Sequence, residues 1–426
     1  MKKLLALVLA LAMVLTLFVG CAKQENDEPK ETQQNETQAE EKETEKEQEK
    51  EPAEGTEELE MWYYWEGGHQ QESMGALIDK YNAAQSKYHL TPKYIPFADF
   101  KKQLSIGASA DELPDLVVLD SPDHASYAAM GVFADITDRF DASNYFEGPI
   151  ASATLDGRLY GVPMGANCLA LYYNEDMLKE AGVEVPTTWD ELKTAAAALT
   201  KENVSGLLFC SRQNEEGTFN FMPWVWSTGT TSFEINNPQG IKALTFVKDL
   251  VDSGSMSKEV INWTQGDVMN QFISGNAAMM INGPWQIPSI RKEAPDLNWN
   301  VTLIPQDAQC ASALGGENYA VVAGGNEDGA LDFLNFATQE DNIRELMAGF
   351  GYIAPRADIA DGQFEGDAPM EVFVEQMKYA QPRGPHEEWP SISDAISLAF
   401  NEVITGSSTP EEAAATAQET IDSIVK

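Results

Sequence analysis

Hydrophobic residues follow two spacings in the part of the chain that begins at Leu59. Short apolar runs, as at residues 113–119 and 169–173, are typical of buried strands. Between these runs, apolar residues recur three and four positions apart, which is the spacing of a helix with one buried face. Because the two patterns alternate, we predict an α/β fold with largely parallel sheets. The predicted helices cover residues 71–87, 97–110, 188–200 and 238–252, with a last helix starting at Thr409-Pro410, and the predicted strands cover residues 58–65, 89–95, 113–119, 169–173, 206–210 and 277–281.

The first apolar run has a different character. Residues 4–19 carry no charge, follow Lys2 and Lys3, and stop just before Cys21. This run suits the core of a signal peptide better than a membrane span, which needs about 20 residues. The cysteine after a small residue resembles the lipoprotein signal of bacteria. We therefore predict a signal peptide over residues 1–20 and a lipid on Cys21, with an ordinary signal peptide or a plain anchor helix as the alternative.

The segment that follows Cys21 is polar. Residues 22–58 contain no large apolar side chain and consist mostly of Glu, Gln, Lys and Thr. Such a segment cannot bury enough apolar surface to fold by itself. We predict that residues 21–56 form a disordered acidic spacer between the membrane and a folded part.

Charge excludes several classes of function. The 426 residues include 28 Lys and Arg against 68 Asp and Glu, a net charge of −40. This field repels nucleic-acid backbones and anionic lipid surfaces, so no nucleic-acid partner is expected. Four His and four Cys, without HExxH or CxxC, favour neither a metal site nor a disulfide scaffold, and no cofactor is predicted.

Several blocks of sequence then resemble one family, in the order in which that family has them. They are Leu113-Pro-Asp-Leu-Val-Val-Leu119, Gly157-Arg-Leu-Tyr-Gly-Val-Pro-Met164, Pro186-Thr-Thr-Trp-Asp-Glu-Leu192, the segment from Phe272 to Gly283-Pro-Trp285, and Gly351-Tyr-Ile-Ala-Pro-Arg356. The chain resembles the extracellular solute-binding proteins of ABC importers, in the carbohydrate-binding group that includes maltose-binding protein.

The resemblance implies a two-lobed fold of the periplasmic-binding-protein type (type II) with a hinge between the lobes. One lobe would comprise residues 57–166 plus 308–350, and the other residues 167–307 plus 351–426. It also implies a monomer on the extracellular face of the bacterial cytoplasmic membrane. That monomer would capture a carbohydrate between its lobes, without chemistry, and deliver it to ABC transporter permease subunits.

The candidate ligand residues combine flat apolar rings for a sugar face with polar groups for its hydroxyl rim. Arg356 and Arg383 are scarce cations that are either ligand contacts, favouring an acidic sugar, or structural ion-pair partners. Trp224 is the alternative to Trp226, because residues two apart in a helix point in different directions. The predicted set is Trp65, Glu66, His69, Asp120, Asn167, Trp226, Trp285, Arg356, Arg383 and Trp389.

Two other functions stay open at this point. The negative charge would also suit a polyamine or another non-sugar solute in the same fold. A secreted glycosidase would need paired carboxylates, such as Glu387 and Glu388, although no catalytic motif accompanies them. Cys168 and Cys210 fall in the same predicted lobe, and we expect free, buried thiols rather than a disulfide.

Overall fold

A computed structural model describes residues 55–425 except residues 66, 111 and 385. The chain divides into two compact units, and all described residues belong to the second, Pro52–Lys426. The predictions for the signal peptide, Cys21 and most of the spacer lie outside the described residues, as does that for Glu66. No helix among the described residues has the length and apolar character needed to cross a membrane.

The largest sheet has five strands in the order β2-β1-β3-β12-β6. Its central strands β1 and β3 run parallel, as do β1 and β2, whereas β12 is antiparallel to both of its neighbours. Asp120 and Glu317 are paired across β3 and β12, so the carboxyl end of β3 meets the start of β12. The strands are β1 (Glu57–Tyr63), β2 (Tyr88–Tyr94), β3 (Leu116–Asp120), β6 (Val162–Pro163) and β12 (Glu317–Val321).

Two smaller sheets lie further along the chain. One has the order β10-β8-β9 and is antiparallel throughout, and the other has the order β13-β11-β7. The expectation of largely parallel sheets is therefore wrong outside β2-β1-β3 and the β11–β13 pair. The remaining strands are β4 (Thr154–Leu155) and β5 (Arg158–Leu159), which pair as a hairpin, β7 (Asn167–Cys168), β8 (Ala170–Asn174), β9 (Met279–Asn282), β10 (Trp299–Thr302), β11 (Ser312–Gly315) and β13 (Ala380–Pro382).

Helices connect and cover the sheets. Thr188 and Thr409 begin two of them with complete capping boxes, because a Glu three residues later returns a hydrogen bond to the cap. The predicted strand at 206–210 is wrong, since this segment makes only isolated bridges. The α-helices are α1 (Gly68–Ala84), α2 (Phe97–Ala110), α3 (His124–Ala129), α4 (Glu147–Ser152), α5 (Glu175–Ala181), α6 (Trp189–Leu199), α7 (Glu215–Ser227), α8 (Pro238–Asp252), α9 (Gln265–Ile273), α10 (Ile287–Glu293), α11 (Glu327–Ala337), α12 (Glu340–Phe350), α13 (Ala357–Ala360), α14 (Ala368–Gln376), α15 (Trp389–Thr405) and α16 (Pro410–Ile424).

The buried apolar side chains form two separate clusters. The first surrounds the five-stranded sheet and draws on residues between Leu59 and Ile359. The second surrounds β8 and β9 and draws on residues between Cys168 and Ile421. Trp285 is half-buried and packs against both. The chain therefore builds two hydrophobic cores, and Trp285 lies where they meet.

Candidate functional site

A cavity of about 490 Å³ lies where side chains from the two cores approach each other. Its wall includes Trp65 just after β1, Asp120 at the end of β3, and Trp285 shortly after β9. The cavity thus opens beyond the carboxyl ends of strands, which is where open α/β sheets bind ligands. Its volume falls within the range of pockets that enclose small molecules.

Glu317 holds three side chains together at one wall of the cavity. Its Oε1 accepts hydrogen bonds from Tyr64 Oη (3.1 Å), Trp65 Nε1 (3.1 Å) and Tyr352 Oη (3.0 Å). Its Oε2 is buried and has no hydrogen-bond partner. Burial, followed by the nearby charge of Asp120, raises the pKa of Glu317 to about 7, although the three donors partly offset this rise.

Gly315 and Gly316 precede Glu317 and let the backbone pass close to the cavity. A Cβ on Gly315 would lie 2.2 Å from Asn167 Oδ1. Gly316 has a φ of +131°, and a Cβ there would lie 2.2 Å from the carbonyl oxygen of Gly165. Only glycine accommodates both the conformation and the contact at this position.

Arg383 forms a second, ionic centre. Its guanidinium donates to both carboxylate oxygens of Asp120, at 3.0 and 3.1 Å, and to Glu215 Oε1 at 2.5 Å. Burial lowers the pKa of the guanidinium, but the charges of Asp120 and Glu215 more than compensate and keep that pKa above its usual value. Asp120 belongs to the sheet of the first core, whereas Glu215 begins α7 in the second. The ion pairs therefore join the two cores through one cation.

Aromatic rings provide the apolar part of the wall. Phe219 in α7 lies 6.0 Å from the Trp285 ring, measured between centroids, and carries the Arg383 guanidinium 4.3 Å above its own centroid. Tyr352 also contacts Trp285, edge to face, with 6.2 Å between the ring centroids. Rings in this arrangement can cover the CH face of a sugar while the neighbouring polar groups reach its rim.

Acidic side chains dominate the polar part of the described wall, with six carboxylates against two guanidinium groups. Both guanidinium groups are already paired: Arg383 as above, and Arg212 with Glu216 at 3.6 Å. His69 adds no positive charge near neutral pH, because burial lowers the pKa of its imidazole. The described wall therefore holds no unpaired cation for an anionic ligand.

Four polar atoms on this wall are buried without a hydrogen-bond partner. They are Glu317 Oε2, Asn167 Oδ1, Arg383 Nε and His69 Nε2. Buried polar atoms are almost always paired in folded proteins, so such a concentration points to a bound ligand or solvent. The described residues contain no group of three or more His, Cys, Asp or Glu arranged to hold a metal ion.

The structure brings six of the ten predicted residues to the cavity wall. Trp65 lines the cavity and also packs edge to face on Phe350 in the first core. Arg383 meets both of the alternatives that the sequence left open for it, since it lines the cavity and also forms structural ion pairs. The six residues are Trp65, His69, Asp120, Asn167, Trp285 and Arg383.

Three predicted residues do not line the cavity, and these expectations are corrected. Trp226 and Trp224 are both buried in the second core and do not line the cavity. Arg356 is a structural ion-pair partner that donates to Asp358 at 2.6 Å and to the Thr338 carbonyl at 2.7 Å. Trp389 is fully buried behind the wall and donates its indole N–H to Glu215.

Sequence reasoning missed five residues that define the wall. Tyr64 lies inside the predicted strand 58–65 and Tyr352 inside the block 351–356, but nothing local distinguishes them from core aromatics. Glu215 and Phe219 lie in the first turns of α7, where Asn214 caps the helix and acidic residues are common in any case. Glu317 follows the Gly315-Gly316 pair, and that pair before a strand was the one available signal of a close backbone approach.

The thiols agree with expectation. Cys168 and Cys210 are both free and buried, and Cys310 is free and half-buried. Burial raises the pKa of Cys168 and of Cys210, so neither is a thiolate near neutral pH.

Comparison with known proteins gives a consistent result. The family model described as bacterial extracellular solute-binding protein matches residues 76–371. The sn-glycerol-3-phosphate-binding periplasmic protein UgpB of Escherichia coli is 24% identical over 420 residues, which cover 86% of this chain and 92% of that protein. The lactose-binding protein of Rhizobium radiobacter is 28% identical over 281 residues, which cover 60% of this chain and 65% of that protein.

A solved structure extends the similarity to the fold. The solute-binding protein of an ABC transporter from Thermotoga lettingae TMO, bound with α-D-tagatose, aligns with a TM-score of 0.82. The two chains are 25% identical, and the alignment covers 87% of this chain and all of the other. The α/β architecture with two cores is therefore shared along almost the whole described part.

Proposed function

Because this chain belongs to the bacterial extracellular solute-binding proteins, we propose that it captures a carbohydrate in the cavity between its two cores and delivers it to an ABC transporter permease. The observation that carries this proposal is the wall itself, in which the rings of Trp285, Phe219 and Tyr352 stand beside unpartnered hydrogen-bonding atoms. A sugar offers matching surfaces, with an apolar face and a hydroxyl rim. The tagatose and lactose bound by two of the relatives support the same class.

We infer that the two cores act as lobes that close on the ligand. Tyr352 and Ile359 pack in the first core, whereas Ala311 and Ala313 pack in the second. These positions favour crossings of the chain between the two cores near residues 167, 315 and 360. Closure would bury the ligand against both cores at once, as in other hinge-bending receptors. Small-angle scattering should then show a smaller radius of gyration with sugar than without it.

Binding is tested with the full chain and a panel of tagatose, lactose, maltose, sn-glycerol 3-phosphate and spermidine. A sugar at 100 times its dissociation constant should stabilise the folded state by about 2.7 kcal/mol, which thermal unfolding detects. Stabilisation by at least one sugar, confirmed by calorimetry, supports the proposal. Stabilisation by spermidine alone would instead identify a polyamine receptor. If no compound of the panel stabilised the protein, the carbohydrate assignment would be contradicted.

We further propose that a lipid on Cys21 tethers the protein to the outer face of the cytoplasmic membrane. The cysteine at the end of the apolar run and the polar segment after it support this proposal. Cys21→Ser should release the protein from the membrane fraction into the medium and should abolish metabolic labelling with a fatty acid. Retention of the label in the variant would refute the assignment of Cys21.

A further inference from the structure

The two unpartnered acceptor atoms of the cavity belong to neighbouring elements. Asn167 in β7 pairs with Gly315 in β11, and Gly315 lies two residues before Glu317. The Tyr352 hydroxyl donates to Glu317 Oε1 and also interacts with the Asn167 side chain. Both side chains are more than nine-tenths buried, at 3% exposure for Asn167 and 6% for Glu317. Their free oxygens, Asn167 Oδ1 and Glu317 Oε2, thus belong to two buried side chains that both contact Tyr352.

The protein leaves Glu317 Oε2 without any donor of its own. Tyr64, Trp65 and Tyr352 all donate to Oε1 and thereby fix the orientation of the carboxylate. An unpaired buried carboxylate oxygen is costly, whereas a hydrogen bond to a charged acceptor is among the stronger ones. A ligand donor that reaches Oε2 would gain this interaction with a carboxylate whose orientation is already fixed.

We propose that Glu317 and Asn167 form an acceptor pair that selects an uncharged saccharide through its hydroxyl groups and rejects uronates and sugar phosphates. The proposal rests on the carbohydrate function above and specifies the class of sugar. Hydroxyl groups can donate to both free oxygens, whereas a carboxylate or phosphate would place negative charge against acceptors. In addition, Arg212 and Arg383, the two guanidinium groups of the described wall, are both already paired with carboxylates.

Such a site makes binding depend on pH. Burial and the charge of Asp120 give Glu317 a pKa of about 7, and the hydroxyl donor of a ligand favours its ionised form. Binding should therefore release a proton, and affinity should rise between pH 6 and pH 8. The other groups facing Glu317 are Tyr64, Tyr352 and Tyr319, whose pKa values burial raises further above this window, and Arg383 beyond Asp120 stays charged throughout.

The decisive variant is Glu317→Gln, which can keep an oxygen for the three donors but presents an amide donor where Oε2 stood. Calorimetry on the full chain uses tagatose, lactose and maltose as uncharged probes and glucuronate, galacturonate and sn-glycerol 3-phosphate as anions. We expect an uncharged sugar to bind the parent about 10-fold more tightly at pH 8 than at pH 6, as a required carboxylate with a pKa of about 7 dictates. Glu317→Gln should lower affinity at pH 8 by about 10- to 100-fold and remove the pH dependence.

Glu180→Gln is the matched control, since Glu180 is exposed on α5 and does not line the cavity. It should leave affinity and pH dependence unchanged, and thermal unfolding of both variants checks that they fold. An uncharged sugar that binds Glu317→Gln as well as the parent would overturn the acceptor pair while leaving the carbohydrate function intact. Anions that bind within 10-fold of the best uncharged sugar would do the same. A panel in which no sugar binds the parent overturns the carbohydrate function and, with it, this inference.

Discussion

Replacing Arg383 by Met should cost the protein a large share of its stability. The side chains of Arg383 and Glu215 are 3% and 1% exposed, and that of Asp120 is 12% exposed. Met keeps most of the volume but leaves two carboxylates in the interior without their cation. Removing one partner from a buried ion pair typically costs 3–5 kcal/mol, so we expect a loss of about 4 kcal/mol in the free energy of unfolding at pH 8.

The size of this loss should depend on pH. Without the guanidinium, the buried carboxyl group of Asp120 will hold a proton in the folded state at pH values where the unfolded chain has lost it, because burial raises its pKa. The folded state of the variant then binds more protons than the unfolded state between about pH 4 and neutrality, so its stability rises as pH falls. The defect should therefore be largest at pH 8 and smaller at pH 5.

Urea unfolding followed by tryptophan fluorescence at the two pH values measures both effects. Lys80→Met serves as the control, because Lys80 pairs with Glu345 on the surface at 2.9 Å and such pairs contribute at most about 1 kcal/mol. The triple variant Arg383→Met, Asp120→Asn, Glu215→Gln should recover part of the loss, since no buried charge remains. A loss below 1 kcal/mol for Arg383→Met at pH 8, or one that grows at pH 5, would refute the reasoning.

Three further outcomes test particular contacts. Trp285→Ala should weaken sugar binding at least 10-fold in calorimetry, because its ring stands on the cavity wall, whereas Trp226→Phe should leave affinity within about 2-fold, because Trp226 is buried in α7 away from the wall. Gly316→Ala should lower the free energy of unfolding by more than about 2 kcal/mol, measured in urea, since its φ of +131° and the 2.2 Å approach to the Gly165 carbonyl both oppose a Cβ; an effect below 1 kcal/mol would show that the backbone relaxes. Trp389→Phe should cost about 1–3 kcal/mol by the same measurement, because Glu215 loses the indole donor at 3.0 Å, and an unchanged midpoint would contradict that role.

Local patterns in the sequence were sufficient to predict much of the secondary structure. The helices over 97–110 and 238–252 are predicted with the bounds that the structure has. Thr188 and Thr409 start helices because a hydroxyl and a Glu three residues later satisfy the first backbone N–H groups within a single turn. The pairing of strands was less predictable, because a short apolar run carries no information on the direction of its neighbour; β8, β9 and β10 are accordingly antiparallel against expectation.

Residues of the candidate site were likewise predictable where a local pattern marks them, and unpredictable where packing decides their position. Trp285 was found because the Gly-Pro-Trp turn that it ends belongs to a block resembling the family, and Asp120 because it directly follows a buried strand. Trp226 and Trp389 were chosen on similar grounds, yet both are buried in the second core, where Trp389 donates its indole N–H to Glu215. Whether an aromatic side chain faces a cavity or a core depends on what packs against it, and the packing partners come from distant parts of the chain.

The sequence by itself determined the alternation of strands and helices, the helix starts and the kind of side chain that ends each strand, because these depend on neighbours within a few residues. Only the tertiary structure decided that Glu317 meets Tyr64, 253 residues earlier in the chain, and that Arg383 meets Asp120 across 263 residues. Burial and the charge of Asp120 raise the pKa of Glu317, its three donors all bind Oε1 and leave Oε2 free, and Asp120 and Glu215 neutralise Arg383. The selectivity proposed for the cavity thus arises from long-range packing, because burial and charge pairing belong to the folded chain and not to any local segment.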